Sequence, residues 1–358
     1  MELCDVNTVS ILTKLSPLPG GRVYSEKSVF KYTIIKDLSI IIPCYNSQEY
    51  LEKCLQSVLG QKTNFNIEVI AINDGSTDNT AEILAQYEKN YQHLRVISQS
   101  NKGFSGARNT GIICSRGKYL MFVDSDDEIS DGYIQKLMEA AVKKNADIAA
   151  SGYFTFRGKK IYKTIRSKGC NDKELLNGCF WAKVFKREIF ENIMLPDGYW
   201  CEDSILAHLI YPTIKNYVSV EDCLYAYRSN PNGITISSKR KAKSIDTFYI
   251  SDLMIKSAIM LYGVDYIKTQ HYYELLLEQF YLNHRRIANL PVKYQKVVFK
   301  RQADFLNSVY TGYETNRPER VLFQKALRSR SYRYAMISVH MDRFYKFVGL
   351  LCKGRKAV

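Results

Sequence analysis

The sequence predicts an α/β fold built on a doubly wound sheet and followed by a helical region. Three observations carry that reading. Residues 38–42, 67–72 and 119–123 are short, largely apolar runs rich in branched and aromatic side chains, the last of them unbroken, the mark of strands buried on both faces. The first two are each followed by a polar loop and then by apolar residues at helical spacing, so strand, loop and helix alternate as they do around a parallel sheet. From about residue 238 the periodicity is helical, which divides the chain into an extension over 1–37, a sheet domain over 38–237 and a helical region over 238–358.

Composition narrows the classes open to the chain. With 358 residues, 46% hydrophobic and 24% charged, it has the make-up of an ordinary globule and length for one large domain with an appendage or for two domains. A net charge of +15 calls for an anionic partner: nucleotide phosphate, nucleic acid or an acidic membrane surface. Nine cysteines, with no C-x-x-C pair and no Cys/His ligand spacing, argue for reduced thiols and against a zinc site or a disulfide framework. No apolar run follows a basic cluster at the amino terminus, and nowhere do 18 apolar residues run together. The expectation is a cytoplasmic protein without signal peptide or spanning helix.

Taken in order, residues 1–37 read as an extension packed on the main domain, with Pro17, Pro19, Gly20 and Gly21 marking a loop. The first strand, 38–42, is expected to stop at Pro43. Asn46 precedes Glu49 at capping-box spacing, and Leu51, Cys54, Leu55, Val58 and Leu59 then line one helical face. A strand over 67–72, a loop over 73–78 and a helix over 81–87 repeat the unit, and 93–97 reads as a third strand. The glycine-rich segment 101–111 leads into a short helix before the run at 119–123. Beyond it, Tyr133, Leu137, Met138 and Ala141 keep helical spacing and 148–156 reads as a strand. At the end of the chain Met341, Phe344, Tyr345, Val348 and Leu351 form one face of a basic amphipathic tail, with Arg343, Lys346, Lys353, Arg355 and Lys356 around it.

The run at 119–123 ends abruptly in acid, at Asp124, Asp126 and Asp127. Ligands of open α/β sheets bind outside the carboxyl ends of strands. Two carboxylates about 4 Å apart repel by roughly 4 kcal/mol at an effective dielectric near 20. Such a pair keeps a proton or recruits a cation. An Asp-x-Asp there fits a hard divalent ion that takes its other ligands from substrate phosphates, and it also fits a solvated turn that opens the next helix. An EF-hand is excluded, because its sixth position needs Gly and here holds Ile129. Walker and dinucleotide glycine motifs are absent as well.

Six stretches together resemble family 2 of the glycosyltransferases, inverting sugar-nucleotide enzymes of the GT-A fold. They are SIIIPCYNSQEYLEKCLQSVLGQ from Ser39, VIAINDGSTDNT from Val69, NKGFSGARNTGI from Asn101, YLMFVDSDD from Tyr119, FWAKVFKREIF from Phe180 and CEDS from Cys201, in the family's order over roughly 38–235. The resemblance implies that Pro43, Tyr45 and Asn46 hold base and ribose and that Asp74 accepts a hydrogen bond from uracil. It implies that Lys102 and Arg108 bring positive charge near base and phosphates. Asp124, Ser125 and Asp126 would meet the nucleotide sugar, with Asp126 and Asp124 ligating Mg²⁺ or Mn²⁺. Asp203 would be the base that deprotonates the acceptor, with Glu202 orienting its loop or touching the acceptor. Trp181 and Arg228 match acceptor-side segments, although Trp181 fits the core equally well and Gly233 stands where the family usually has Ser after Arg228. The processive Q-x-x-R-W motif is missing, so one sugar per encounter is implied.

The function expected is transfer of one sugar from a nucleotide sugar, UDP-linked by preference, to a glycan or lipid-linked acceptor in bacterial capsule, exopolysaccharide or lipopolysaccharide synthesis. It would take place at the inner face of the membrane, with peripheral contact through the basic tail and no nucleic-acid partner. A sugar nucleotidyltransferase would need a G-x-G-T-R loop, which is not found. A non-catalytic basic membrane- or nucleic-acid-binding protein on an α/β scaffold is the alternative of a different class.

Overall fold

The computed structural model describes residues 3–17, 23–25, 28–176, 178–231, 233 and 241–341. The amphipathic tail beyond Met341 lies outside the described residues, as does the segment 234–240. The chain divides into two compact units, Pro19–Ile236 and the combination of Met1–Leu18 with Ser237–Val358.

The stretch ahead of the first strand is divided between these two units. Its helix α1 (Val6–Leu12), capped by Asp5 accepting from the Thr8 amide at 2.8 Å, belongs to the helical unit. Two buried carboxylates there need donors, and the extension supplies them. Asp252 accepts from the amides of Leu3 and Cys4 at 3.0 and 3.1 Å, and Asp246 from the Ser16 hydroxyl at 2.7 Å. The later part stays with the sheet unit, where Arg187 donates to the Tyr32 carbonyl at 2.6 Å and lies 3.9 Å over the Phe30 ring.

The sheet holds β1 (Lys36–Cys44), β2 (Ile67–Asp74), β3 (Leu94–Gln99), β4 (Gly117–Phe122), β5 (Glu128–Ile129), β6 (Ile148–Arg157), β7 (Lys160–Ile165), β8 (Lys183–Lys186) and β9 (Tyr217–Arg228). Its order is β3-β2-β1-β4-β8-β6-β9-β5, with β7 paired to β6. The first four strands are parallel, β8 runs antiparallel to both neighbours, β9 is parallel to β6, and β5 is antiparallel to β9. Around the sheet lie α2 (Leu51–Leu59), α3 (Thr80–Asn90), α4 (Gly103–Cys114) and α5 (Tyr133–Lys143). Strand order reverses between β1 and β4, the place where α/β sheets open a crevice.

Alternation on the buried strands assigns the two faces. Leu38, Ile40 and Ile42 join the core shared with α2 and α5, while Ile70 and Ile72 pack against Ala107 of α4. At Gly111 a Cβ would stand 2.3 Å from Ile41 Cγ2, so α4 lies against β1 only because that position has no side chain. β1 continues through Pro43 to Cys44, two residues past its expected end. Its ladder with β4 stops at Ile41, and Pro43 shares the side of Ile41, so the missing amide faces no partner strand.

The helical unit adds α6 (Asp246–Tyr262), α7 (Val264–Ile267), α8 (Gln270–Ile287), α9 (Val292–Val309) and α10 (Val321–Arg328). Buried Asn283 joins α8 to α6, accepting from Thr247 at 2.7 Å and donating to Ser251 at 2.7 Å. Among the described residues no helix is long and apolar enough to cross a membrane.

Candidate active site

The loops after β1, β2 and β4 meet at the crevice, and α4 connects them to a more distant acidic pair. After β2, Gly75 takes φ 72°, and a Cβ there would stand 2.8 Å from the Asn101 amide nitrogen. The turn brings Asp74 against the start of α4. Asp74 Oδ1 accepts from Gln99 Nε2 at 2.6 Å and from the Lys102 amide at 2.9 Å. Its other oxygen, Oδ2, is buried and has no hydrogen-bond partner among the described residues. A buried acceptor left unmet costs about 1–3 kcal/mol.

Asn46 does not cap α2, contrary to the capping-box expectation. It adopts φ 48°, and its side-chain oxygen accepts from the Thr77 amide at 2.8 Å, which pins the β1 loop to the β2 loop. Tyr50 holds the cap position instead, with no side-chain cap bond. Ser47 shares a 2.7 Å hydrogen bond with Ser125 and so ties the β1 loop to the acidic turn. Tyr45 stands 52% exposed beside them, and the Lys102 side chain is exposed.

Arg108, one and a half turns into α4, is the joint of the site. Its guanidinium donates to Asp124 Oδ1 at 2.8 Å and to Glu202 Oε1 at 2.5 Å, and it is almost wholly buried, with Phe104 and Phe180 about the group. Burial works against its charge, but Asp124, Glu202 and Asp203 together prevail and push its pKa up. Glu202 is pushed up as well, first by burial and then by Asp203 beside it, with Arg108 pulling the other way. Cys201, just before this pair, sits at φ 75°, a left-handed conformation that costs a residue with a side chain about 1–2 kcal/mol. The amides of Ile205 and Leu206 then bond back to Glu202 and Asp203 as the chain turns into the π-helical stretch Leu206–Ile210.

The acidic turn is held from below. Tyr225 on β9 accepts from the Asp124 amide at 3.1 Å and donates to Asp127 Oδ2 at 2.8 Å. The Arg228 amide donates to Asp127 Oδ1 at 2.7 Å, and its guanidinium binds the Asp126 carbonyl at 2.7 Å and the Glu128 carboxylate. That guanidinium also lies over the rings of Tyr50 and Phe156 at 4.7 and 4.5 Å. Trp181 stacks on Tyr225 and Tyr227, ring centroids 5.0 Å apart in both cases, with Tyr153 edge-on at 4.9 Å. Both residues expected on the acceptor side are thus engaged in the protein's own packing: Arg228 clasps the acidic turn and Trp181 lies in an aromatic core.

Burial first, and Asp124 second, raise the Asp126 pKa; Asp127 is raised well above the usual carboxylate range by burial, then by Asp126 and Asp124. Arg108 pairs with Asp124 and Arg228 with Glu128, while among the described residues no cation stands at ion-pair distance from the Asp126 carboxylate, which leaves an imbalance of charge. A divalent cation fits that imbalance, although among the described residues no group of three His, Cys, Asp or Glu side chains forms a ready-made metal cage. Asp126 keeps one carboxylate oxygen on Asn230 Nδ2 at 2.9 Å. An ion carried by Asp124 and Asp126 would complete its shell with substrate phosphate and water, as Mg²⁺ sites commonly do.

Several residues escaped sequence reasoning. Asp127 was visible in the acidic run, but its burial was not. Tyr225, Gln99 and Asn230 carry no local signal, since each acts through a distant partner. Asn109 belongs with them: its amide nitrogen donates to the Leu195 carbonyl and to Asp197 Oδ1, both at 2.7 Å, and so clamps α4 to the loop before Glu202.

A sheet that switches from parallel to mixed beyond an acid-tipped central strand, with a second acidic pair brought to it by a buried arginine, defines the GT-A class of glycosyltransferase domain. The model of glycosyl transferase family 2 matches residues 39–194. Among curated relatives, the glycosyltransferase GlyG of Streptococcus pneumoniae is 30% identical over 218 residues, 55% of this chain and 72% of that one. The uncharacterized glycosyltransferase EpsJ of Bacillus subtilis is 34% identical over 216 residues, 55% of this chain and 62% of that one. Staphylococcus aureus TarS 1–349, solved in complex with UDP-GlcNAc, has the same fold at TM-score 0.66 and 20% identity, covering 86% of this chain and 91% of that one. The chain belongs to glycosyltransferase family 2. It spans less than two thirds of the length of some of its curated relatives, EpsJ among them.

Proposed function

We propose that this protein is an inverting, metal-dependent glycosyltransferase that moves one sugar from a UDP-sugar to a hydroxyl of a glycan or lipid-linked acceptor during synthesis of a bacterial surface polysaccharide. The observation that carries the proposal is the Arg108 joint, which binds the acidic turn through Asp124 and the Glu202–Asp203 pair through Glu202. Donor phosphates and an acceptor base are thereby served by one site, although their residues are far apart in sequence. The unmet Oδ2 of Asp74 supports a uracil base, whose ring N–H is the donor it lacks.

Within this reading Asp203 accepts the proton of the attacking hydroxyl on the face of the sugar opposite the diphosphate. Glu202, fixed by Arg108, sets the position of its neighbour. Asp124 and Asp126 would hold Mg²⁺ or Mn²⁺, whose positive charge offsets the charge that builds on the departing nucleoside diphosphate. Tyr225 and Arg228 keep both carboxylates at the turn. The fold neighbour's complex with UDP-GlcNAc supports the same donor class.

A screen of nucleotide sugars for hydrolysis and transfer, with and without Mn²⁺, tests the proposal. UDP-sugars should turn over only with the metal. Asp203→Asn should lower kcat at least about a hundredfold, the usual span for a lost general base, while UDP still binds. Asp126→Ala should abolish the metal dependence together with turnover. If no donor turns over with any acceptor, or both variants keep full activity, the chain is a binding protein on this scaffold instead.

A further inference from the structure

The hairpin of β6 and β7 carries a charge pattern that the transfer reaction does not use. Between Gly152 and Cys170 there is no acidic residue, and Arg157, Lys159, Lys160, Lys163 and Arg166 are all exposed. None of the five has a carboxylate at ion-pair distance among the described residues. Gly158 at φ 58° makes the tight turn, and among the described residues β7 pairs with β6 alone, which leaves it an edge strand there. On that edge Ile161 and Tyr162 are each 57% exposed among the lysines.

We infer that this hairpin docks the protein on an anionic lipid bilayer. The cations match lipid phosphates, and an isoleucine and a tyrosine between them suit the boundary between headgroup and acyl chain, where amphipathic side chains settle. Lysines on an edge strand also block edge-to-edge pairing, but that purpose needs no exposed isoleucine and tyrosine. A second copy pairing along β7 would bring these cations against their own images. A soluble polyanion would satisfy the cations and leave Ile161 and Tyr162 in water. The inference concerns binding and stands whether or not the donor assignment holds.

Flotation of the full-length protein with phosphatidylcholine vesicles, with and without phosphatidylglycerol, is the test. Binding should require the anionic lipid. Each cation near such a surface multiplies affinity about fivefold, so Lys159→Gln, Lys160→Gln and Lys163→Gln combined should lower partitioning about a hundredfold, and each alone about fivefold. The single variants keep the test open should the triple one fail to fold. Ile161→Ser with Tyr162→Ser should lower partitioning at least about tenfold through lost apolar burial. Lys89→Gln, Lys143→Gln and Lys144→Gln combined, which removes the same charge from exposed positions on other helices, should leave it unchanged. Undiminished binding of the hairpin variants, or an equal loss in the control, overturns the inference. So does full displacement by inorganic polyphosphate with no effect of the two serine substitutions, which would mark a polyanion track, or a dimer in light scattering that the hairpin variants break.

Discussion

Arg108→Met tests the joint on which the site depends. The Glu202 side chain is 5% exposed and that of Asp124 28%, so the two arms of the bridge sit in different surroundings. Stranding Glu202 without its cation costs about 3 kcal/mol, the lower end for a broken buried pair, while the better solvated Asp124 arm adds about 1 kcal/mol. For a unit the size of Pro19–Ile236, a total near 4 kcal/mol lowers the melting midpoint by about 8–16 °C. Methionine fills much of the volume, so the loss reports charge more than cavity. Glu202→Gln added to Arg108→Met removes the stranded charge and should recover about 2 kcal/mol, a coupling of the size seen for residues in contact. Thermal melts followed by tryptophan fluorescence read this out, because Trp181 is packed in the same unit. A single variant that costs under about 1 kcal/mol, or a cycle that is additive within about 0.5 kcal/mol, would refute the reasoning.

Other outcomes follow from the same contacts. Asp74→Asn keeps the acceptor for Gln99 and Lys102 but offers an N–H to the base; calorimetric titration should show UDP affinity down about 10–100-fold, the worth of a hydrogen bond to a charged group, with folding unchanged. Tyr225→Phe leaves Asp127 Oδ2 and the Asp124 amide without their shared hydroxyl, and denaturant melts should register about 1–3 kcal/mol of lost stability along with reduced turnover. In the helical unit, burial between Phe299 and Phe323 pushes His284 down to about 4 from its ordinary 6.5, Gln302 pulling slightly the other way. The unfolded chain binds the extra proton between those values, so stability is complete above about pH 6.5 and falls as pH drops toward 4, by about 3 kcal/mol in all. Helical circular dichroism in denaturant across that range should show the slope, and His284→Leu should flatten it.

What the sequence disclosed and what it withheld divide along a physical line. Features set by neighbours in sequence were legible. The largely apolar runs at 38–42, 67–72 and 119–123 lie within β1, β2 and β4 plus its next residue, because a strand buried on both faces needs apolar side chains on both, with Ser39 and Glu68 admitted only as a hydrogen-bonded pair. The acidic end of β4 was visible for the same reason. Features set by partners far along the chain were hidden. Asn46 satisfies the spacing of a helix cap, yet a left-handed turn gives its oxygen to Thr77, 31 residues away, and no local rule prefers one use over the other. Arg228 and Trp181 matched acceptor-side segments in register, but register does not say which way a side chain packs. Arg228 reaches back about a hundred residues to the acidic turn, and Trp181 lies on alternate tyrosines of β9. The same gap explains why Tyr225 went unread. On a strand of alternating tyrosines its hydroxyl looks like any other, and only the fold sets it between the Asp124 amide and Asp127. The residues that touch a substrate leave a motif because they sit together on short loops; the residues that hold those loops still come from wherever the sheet brings a donor, and their identity follows only from the assembled structure.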